Sequence, residues 1–148
     1  MLACALLTSV DANVAIASCG LRLPKELPIL DGFRRPPCPR CAGNRGIEYA
    51  SIPGSVVRSV AAGVVSFSGD VAGVRYVVVD TGAVRVTHGG LRTMTVERGD
   101  VVRVGDPVGV AGETLYVGVR RGDLAVDPQS CGMRRTRLVP EGKPKTHR

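Results

Sequence analysis

From residue 46 onward the apolar positions fall into short runs, each followed within three residues by Gly, Pro or Asp. The runs cover residues 46–50, 56–60, 64–68, 74–79, 83–87, 115–120 and 124–126, and most are built on Val. Branching at Cβ stiffens Val at χ1 and suits it to a pleated, half-buried surface. Pro53-Gly54, Ala62-Gly63, the stretch 69–73, Thr81-Gly82 and Arg121-Gly122-Asp123 separate the runs as turns. Turn signals at this interval predict short antiparallel strands in a compact barrel or sandwich. No stretch keeps an apolar period of about 3.6 residues over three turns, so no long helix is expected. Residues 29–45, broken by Gly32, Pro36, Pro37, Pro39 and Gly43, are expected as a loop. In residues 98–112, RGDVVRVGDPVGVAG, the glycines are expected to mark tight turns and the valines to supply the inward faces.

Composition narrows this all-β reading. The 148 residues include 24 Val and 19 Gly, with 3% aromatics and no Trp, which excludes a coiled coil or helical bundle. No apolar run is long enough to cross a bilayer as a helix. The net charge of +7 is unevenly spread. Residues 1–28 are neutral, residues 29–131 carry 12 basic and 10 acidic groups, and residues 132–148 carry six basic groups against Glu141. Most of the basicity thus belongs to a Pro-containing tail poor in apolar residues, expected to be disordered. The domain of residues 29–131 lacks both the charge and the aromatic content of a nucleic-acid binder, and none is expected as a partner. A biotinyl or lipoyl carrier is excluded because no Lys lies between Lys25 and Lys143.

Residues 1–28 are expected as a signal-like segment and linker. They are small and apolar but lack a basic start, and Asp11 interrupts them. Ile16-Ala17-Ser18-Cys19 resembles a lipoprotein acylation box, making Cys19 a candidate membrane tether. Export to the envelope or exterior is the expectation. Of the five Cys, Cys38 and Cys41 form a C-x-x-C pair in the Pro-rich loop. A second pair to complete a zinc knuckle is absent, and the flanking prolines do not fit the strand-then-helix setting of a thioredoxin-like site. A disulfide between them, or from one of them to Cys131, is expected, with free thiols and a metal as the alternatives.

The order of the motifs resembles the lysostaphin-type (LytM-like) zinc endopeptidases, which cut peptidoglycan stem peptides or cross-bridges. Arg45-Gly46-Ile47-Glu48-Tyr49-Ala50 is similar to that family's H-R-G-[IV]-D-[IL]-A. Pro53-Gly54-Ser55-Val56-Val57 and the stretch 61–69 are similar to its P-G-x-x-V and A-x-G-x-V-x-x-x-G. Residues 77–80 resemble its V-x-[IV]-x-H strand, and residues 99–112 its G-D-x-V-x-x-G-x-x-[IV]-G-x-x-G. Residues 116–120 with Asp127-Pro128 resemble its H-F-x-x-R and late D-P. The resemblance runs from about residue 30 to 131 and implies a barrel-sandwich of the duplicated-hybrid-motif type.

It also implies a zinc held by the His and Asp of an H-x3-D motif and by the second His of a later H-x-H, with a fourth position left for water. Here those positions hold Asn44, Glu48, and the Thr114 and Tyr116 pair. The family's additional active-site His falls at Gly90, with His88 two residues earlier. The chain's other His, His147, lies in the tail. Water must be brought by a metal from a pKa of about 15.7 to about 7 to attack an amide at neutral pH, and one Glu cannot assemble that metal. The expectation is therefore a pseudoenzyme with zinc lost and no catalytic residue. A groove of Asn44, Glu48, His88, Gly90, Thr114 and Tyr116 would bind a peptidoglycan stem or cross-bridge peptide, or a cell-wall hydrolase. The alternative is an active zinc endopeptidase with an unconventional site.

Overall fold

The computed structural model describes residues 19–132. Nine strands form one antiparallel sheet: β1 (Ile29–Asp31), β2 (Gly46–Ala50), β3 (Val56–Arg58), β4 (Gly63–Val71), β5 (Val74–Asp80), β6 (Arg85–Met94), β7 (Val101–Val102), β8 (Pro107–Arg121) and β9 (Leu124–Val126). A short 3-10 turn, Pro128–Cys131, follows β9. Along the sheet the order is β1-β2-β8-β6-β5-β4-β7. β8 is the spine: β6 runs along one edge, while β3, β2 and β9 share the other in succession. The all-β architecture expected from the Val and turn pattern is the one observed.

Alternation decides what each strand buries. Ile47 and Tyr49 of β2, Val77 and Val79 of β5, Val86 of β6, and Leu115, Val117 and Val119 of β8 all point to one side and are buried. They meet Val57, Val60, Val65, Val102 and Val108 in a single core. The intervening residues Glu48, Tyr76, Val78, Thr87 and Tyr116 lie on the opposite, outer face and keep partial exposure.

Several boundaries differ from the sequence reading. Residues 29–31, expected as loop, form β1, because their backbone pairs with Tyr49 and Glu48 of β2. Residues 69–71, expected as turn, continue β4, and the reversal falls on Ala72 and Gly73, both at positive φ. Gly99 and Gly105 do make positive-φ turns, whereas Gly109 and Gly112 lie inside the unbroken fifteen residues of β8. Gly109 is needed there for space: an added Cβ would sit 2.5 Å from the Thr93 carbonyl oxygen.

Residues 19–28, expected as linker, are laid onto the domain. Leu21 is buried in the core, and its N–H donates to the Cys131 carbonyl, while the Arg22 N–H donates to that of Val60 at 2.9 Å. Cys19 is disulfide-bonded to Cys131, and Cys38 to Cys41. The Cys131 partner is thus Cys19, which neither the C-x-x-C pair nor the acylation-box reading anticipated. With its sulfur in this bond, Cys19 offers no thiol for a lipid. The signal-like stretch 1–18 and the basic residues 133–148 lie outside the described residues. Among the described residues no helix is long and apolar enough to cross a membrane.

Candidate functional site

The outer face of the sheet gathers four of the six groove positions in neighbouring registers. Glu48 of β2 pairs with Tyr116 of β8, which pairs with Gly89 of β6, which pairs with Tyr76 of β5. Thr114 stands two residues before Tyr116 and pairs with Ala50. Asn44 lies just before β2, where its backbone pairs with Arg34 through two 2.9 Å hydrogen bonds.

Asn44 is buried and committed to backbone. Its Oδ1 accepts from the Gly46 N–H at 3.2 Å, and its Nδ2 donates to the Asp31 carbonyl at 3.4 Å. Beside it Arg34 forks onto the Asp31 carboxylate. That bond holds the Asp31 carboxyl below its usual range, so Asp31 is a charge partner for Arg34. The row thus has two carboxylates, Glu48 and its β1 partner Asp31, and the second is taken by Arg34.

Tyr116 lies flat on the sheet. Gly46 and Gly118 are cross-strand partners, and a Cβ on either would meet the Tyr116 ring at 2.6 to 2.8 Å. The ring thus covers the floor of the groove. Burial raises its phenol pKa, Arg120 and Arg45 act the other way, and Tyr76 and Glu48 add to the rise.

His88 is not in the groove, contrary to the sequence expectation. It alternates with Val86 and is fully buried on the core side. Its Nε2 accepts from the Val60 N–H at 3.1 Å, and its Nδ1 faces the Val77 carbonyl at 3.3 Å. A nitrogen that accepts from one backbone group while the other donates is a neutral imidazole, and burial pushes its pKa down to about 4. Gly90 is also no place for a side chain. Its φ is 75°, and an added Cβ would collide with the Thr114 carbonyl oxygen.

The zinc that the resemblance implies can be tested against these donors. Asn44 spends both side-chain polar atoms on backbone, Tyr116 lies across glycines, and His88 points away. Among the described residues no three His, Cys, Asp or Glu groups are placed to hold a metal ion. The residues present do not fit the ion. Sequence reasoning missed that Tyr76 and Phe67 share this face, a fact available from strand parity once β4 and β5 are paired.

Two cavities lie elsewhere. One of about 710 Å³ is lined by Leu21, Leu23, Leu27, Ile29 and Tyr49 among others, and one of about 270 Å³ by residues around Val57 and Ala111.

Solved structures share the fold. Csd3 of Helicobacter pylori is 23% identical with a TM-score of 0.65, over 72% of this chain and 31% of that one. The catalytic domain of EnpA, a prophage-encoded M23 protein of Enterococcus faecalis, is 18% identical with a TM-score of 0.63, over 74% and 95%. A zinc-containing peptidase of Vibrio cholerae is 22% identical with a TM-score of 0.62, over 79% and 40%. This chain therefore spans less than half of Csd3 and of the Vibrio peptidase. A chain of the SpoIIQ–SpoIIIAH pore-forming complex is also similar, at 15% identity and a TM-score of 0.63, over 76% and 90%. No curated protein matches. Residues 42–128, more than half of the sequence and all of the central strands from β2 to β9, match the pattern of Peptidase family M23, and the chain belongs to that family.

Proposed function

We propose that this chain is a catalytically inactive M23 domain that acts by binding at the cell wall. The observation that carries this reading is the state of the ligand positions. A hydrolytic zinc needs about three protein donors and an open position. The row offers the Glu48 carboxylate, the Asp31 carboxylate already forked by Arg34, an amide bonded to backbone, and a phenol lying flat. Peptidoglycan is the natural target of such a domain, given a family whose structural neighbours include lysostaphin. A cell-wall hydrolase is the other partner that the loss of catalysis suggests, and the similar chain in a pore-forming complex shows the fold in a protein assembly. Two disulfides agree with an exported protein, since such bonds persist in oxidising compartments.

The test has two readouts. Purified full-length protein is expected to hold no stoichiometric zinc after dialysis against micromolar zinc, and to release no peptide from purified cell walls while sedimenting with them. Stoichiometric zinc together with peptide release would establish an active endopeptidase instead.

A further inference from the structure

The outer sheet face carries an organised set of aromatic rings. Three of the chain's five aromatic residues, Phe67, Tyr76 and Tyr116, lie on it. Each covers glycine: Tyr116 lies over Gly46 and Gly118, Tyr76 over Gly89, and Phe67 over Gly69. A glycine beneath each ring lets it lie down on the sheet instead of standing upright. Tyr76 and Tyr116 are two strands apart, with Gly89 between them, a spacing of about 9.5 Å. Phe67 is 38% exposed.

Charge borders these rings. Arg45 and Arg120 act on the Tyr116 phenol, and Arg85 pairs with Arg120 in the adjacent register. Of the acidic groups on these strands, Glu48 and Asp80 share the parity of the ring face, Asp70 of β4 and Glu113 of β8 take the opposite parity, and Asp31, the β1 partner of Glu48, is paired with Arg34. The border is net positive.

From this geometry we infer that the outer face is a stacking platform for an anionic glycan, a strand of pyranose rings bearing carboxylates. This rests on the proposed wall-binding role and specifies which wall polymer is bound. The electron-rich face of an aromatic ring attracts the C–H face of a sugar, and Arg recognises carboxylate. A peptide fits less well. It would need a free strand edge or side-chain pockets, but β8 and β5, which carry Tyr116 and Tyr76, are paired on both sides, β4 has a free edge only beyond Val64, beside Phe67 alone, and neither cavity includes Phe67, Tyr76 or Tyr116. A single-stranded nucleic acid could stack on such rings, but the disulfides favour a polymer outside the cytosol.

Isothermal titration of the full-length protein with peptide-free peptidoglycan glycan strands tests this, with free stem peptide and an oligothymidylate as parallel arms. Saturable binding of the glycan strands, weakened by salt, is expected. Tyr76→Leu keeps an apolar cover on Gly89 but removes the ring, and should weaken binding about tenfold with little change in thermal midpoint. Should that variant not fold, Phe67→Leu reads the same effect at the exposed ring. Sedimentation with intact walls but no binding to glycan strands, or unchanged affinity in the folded ring variant, overturns the platform and leaves the wall-binding role intact. Tighter binding of oligothymidylate also overturns it. Failure to bind intact walls overturns both.

Discussion

His88 shows how one residue can change meaning between sequence and structure. In sequence it stands beside the position of a family active-site histidine, and it reads as a groove residue. In the fold it follows the parity of Val86 and enters the core, where two backbone groups fix it as a neutral ring. Its titration therefore bears on stability. The unfolded imidazole takes a proton near 6.5, whereas the folded one resists down to about 4. Stability contributed by the neutral ring is complete above pH 6.5 and is lost as pH falls through that window, by about 3 kcal/mol in all. Urea unfolding of the wild type at pH 7.5 and pH 4 should show this loss beyond that of the carboxylates. His88→Gln can accept from Val60 and donate to Val77 without titrating, so its stability should fall by about 3 kcal/mol less over the same range. An equal pH slope in both proteins would place the proton elsewhere.

At the level of strands, the elements with regular Val alternation were legible, and the sites where glycine breaks the register were not. The short strands β2, β3, β5 and β9 sit where Val and turn residues put them, within a residue or two. β6 and β8 are longer than any apolar run suggests, because glycines interrupt the pattern without ending the strand. The same glycines hid the site's geometry. Between Gly89 and Leu91 the register of β6 on β8 shifts, and Gly90 takes up the irregularity at φ 75° against the Thr114 carbonyl. Spacing in the sequence aligns Gly90 with a histidine, but only the paired strands reveal that no Cβ fits there. Gly90→Ala would strain φ and push β6 from β8, at an expected cost of about 2 to 4 kcal/mol by chemical denaturation. Gly118→Ala would instead meet only the Tyr116 ring, with the added carbon 2.7 Å from its hydroxyl. Its cost, about 1 to 2 kcal/mol, should shrink in a Tyr116→Ala background, whereas that of Gly90→Ala should not.

Across the whole molecule, the two disulfides act on very different lengths of chain. Cys38–Cys41 closes a loop with a sequence separation of three, while Cys19–Cys131 closes one of 112, so it ties the first described residues to the last. The second bond also holds down a segment in which Cys19, Leu23 and Leu27 are only partly buried against the core. From residues 19–28 only Leu21 is buried, and backbone hydrogen bonds to Cys131 and Val60 anchor it. None of this could be read from cysteine spacing, since Cys19 sits in a stretch resembling a processing site and its partner is fixed only by the closed sheet. In the chain-entropy account, the long loop restricts the unfolded state by about 5 kcal/mol and the short loop by about 2 kcal/mol. Cys131→Ser should therefore lower the thermal midpoint by about 15 °C, and Cys41→Ser by less than half as much. Both are measured against the oxidised wild type by calorimetry. The central sheet is expected to survive either change, because β8 and its partners do not depend on residues 19–28 for their pairing. In Cys131→Ser, amide exchange should then accelerate at Leu21 and Arg22 while Val77, Val86 and Val117 stay protected. Loss of protection throughout would make the long disulfide a condition of folding the whole domain, not a clasp on its end.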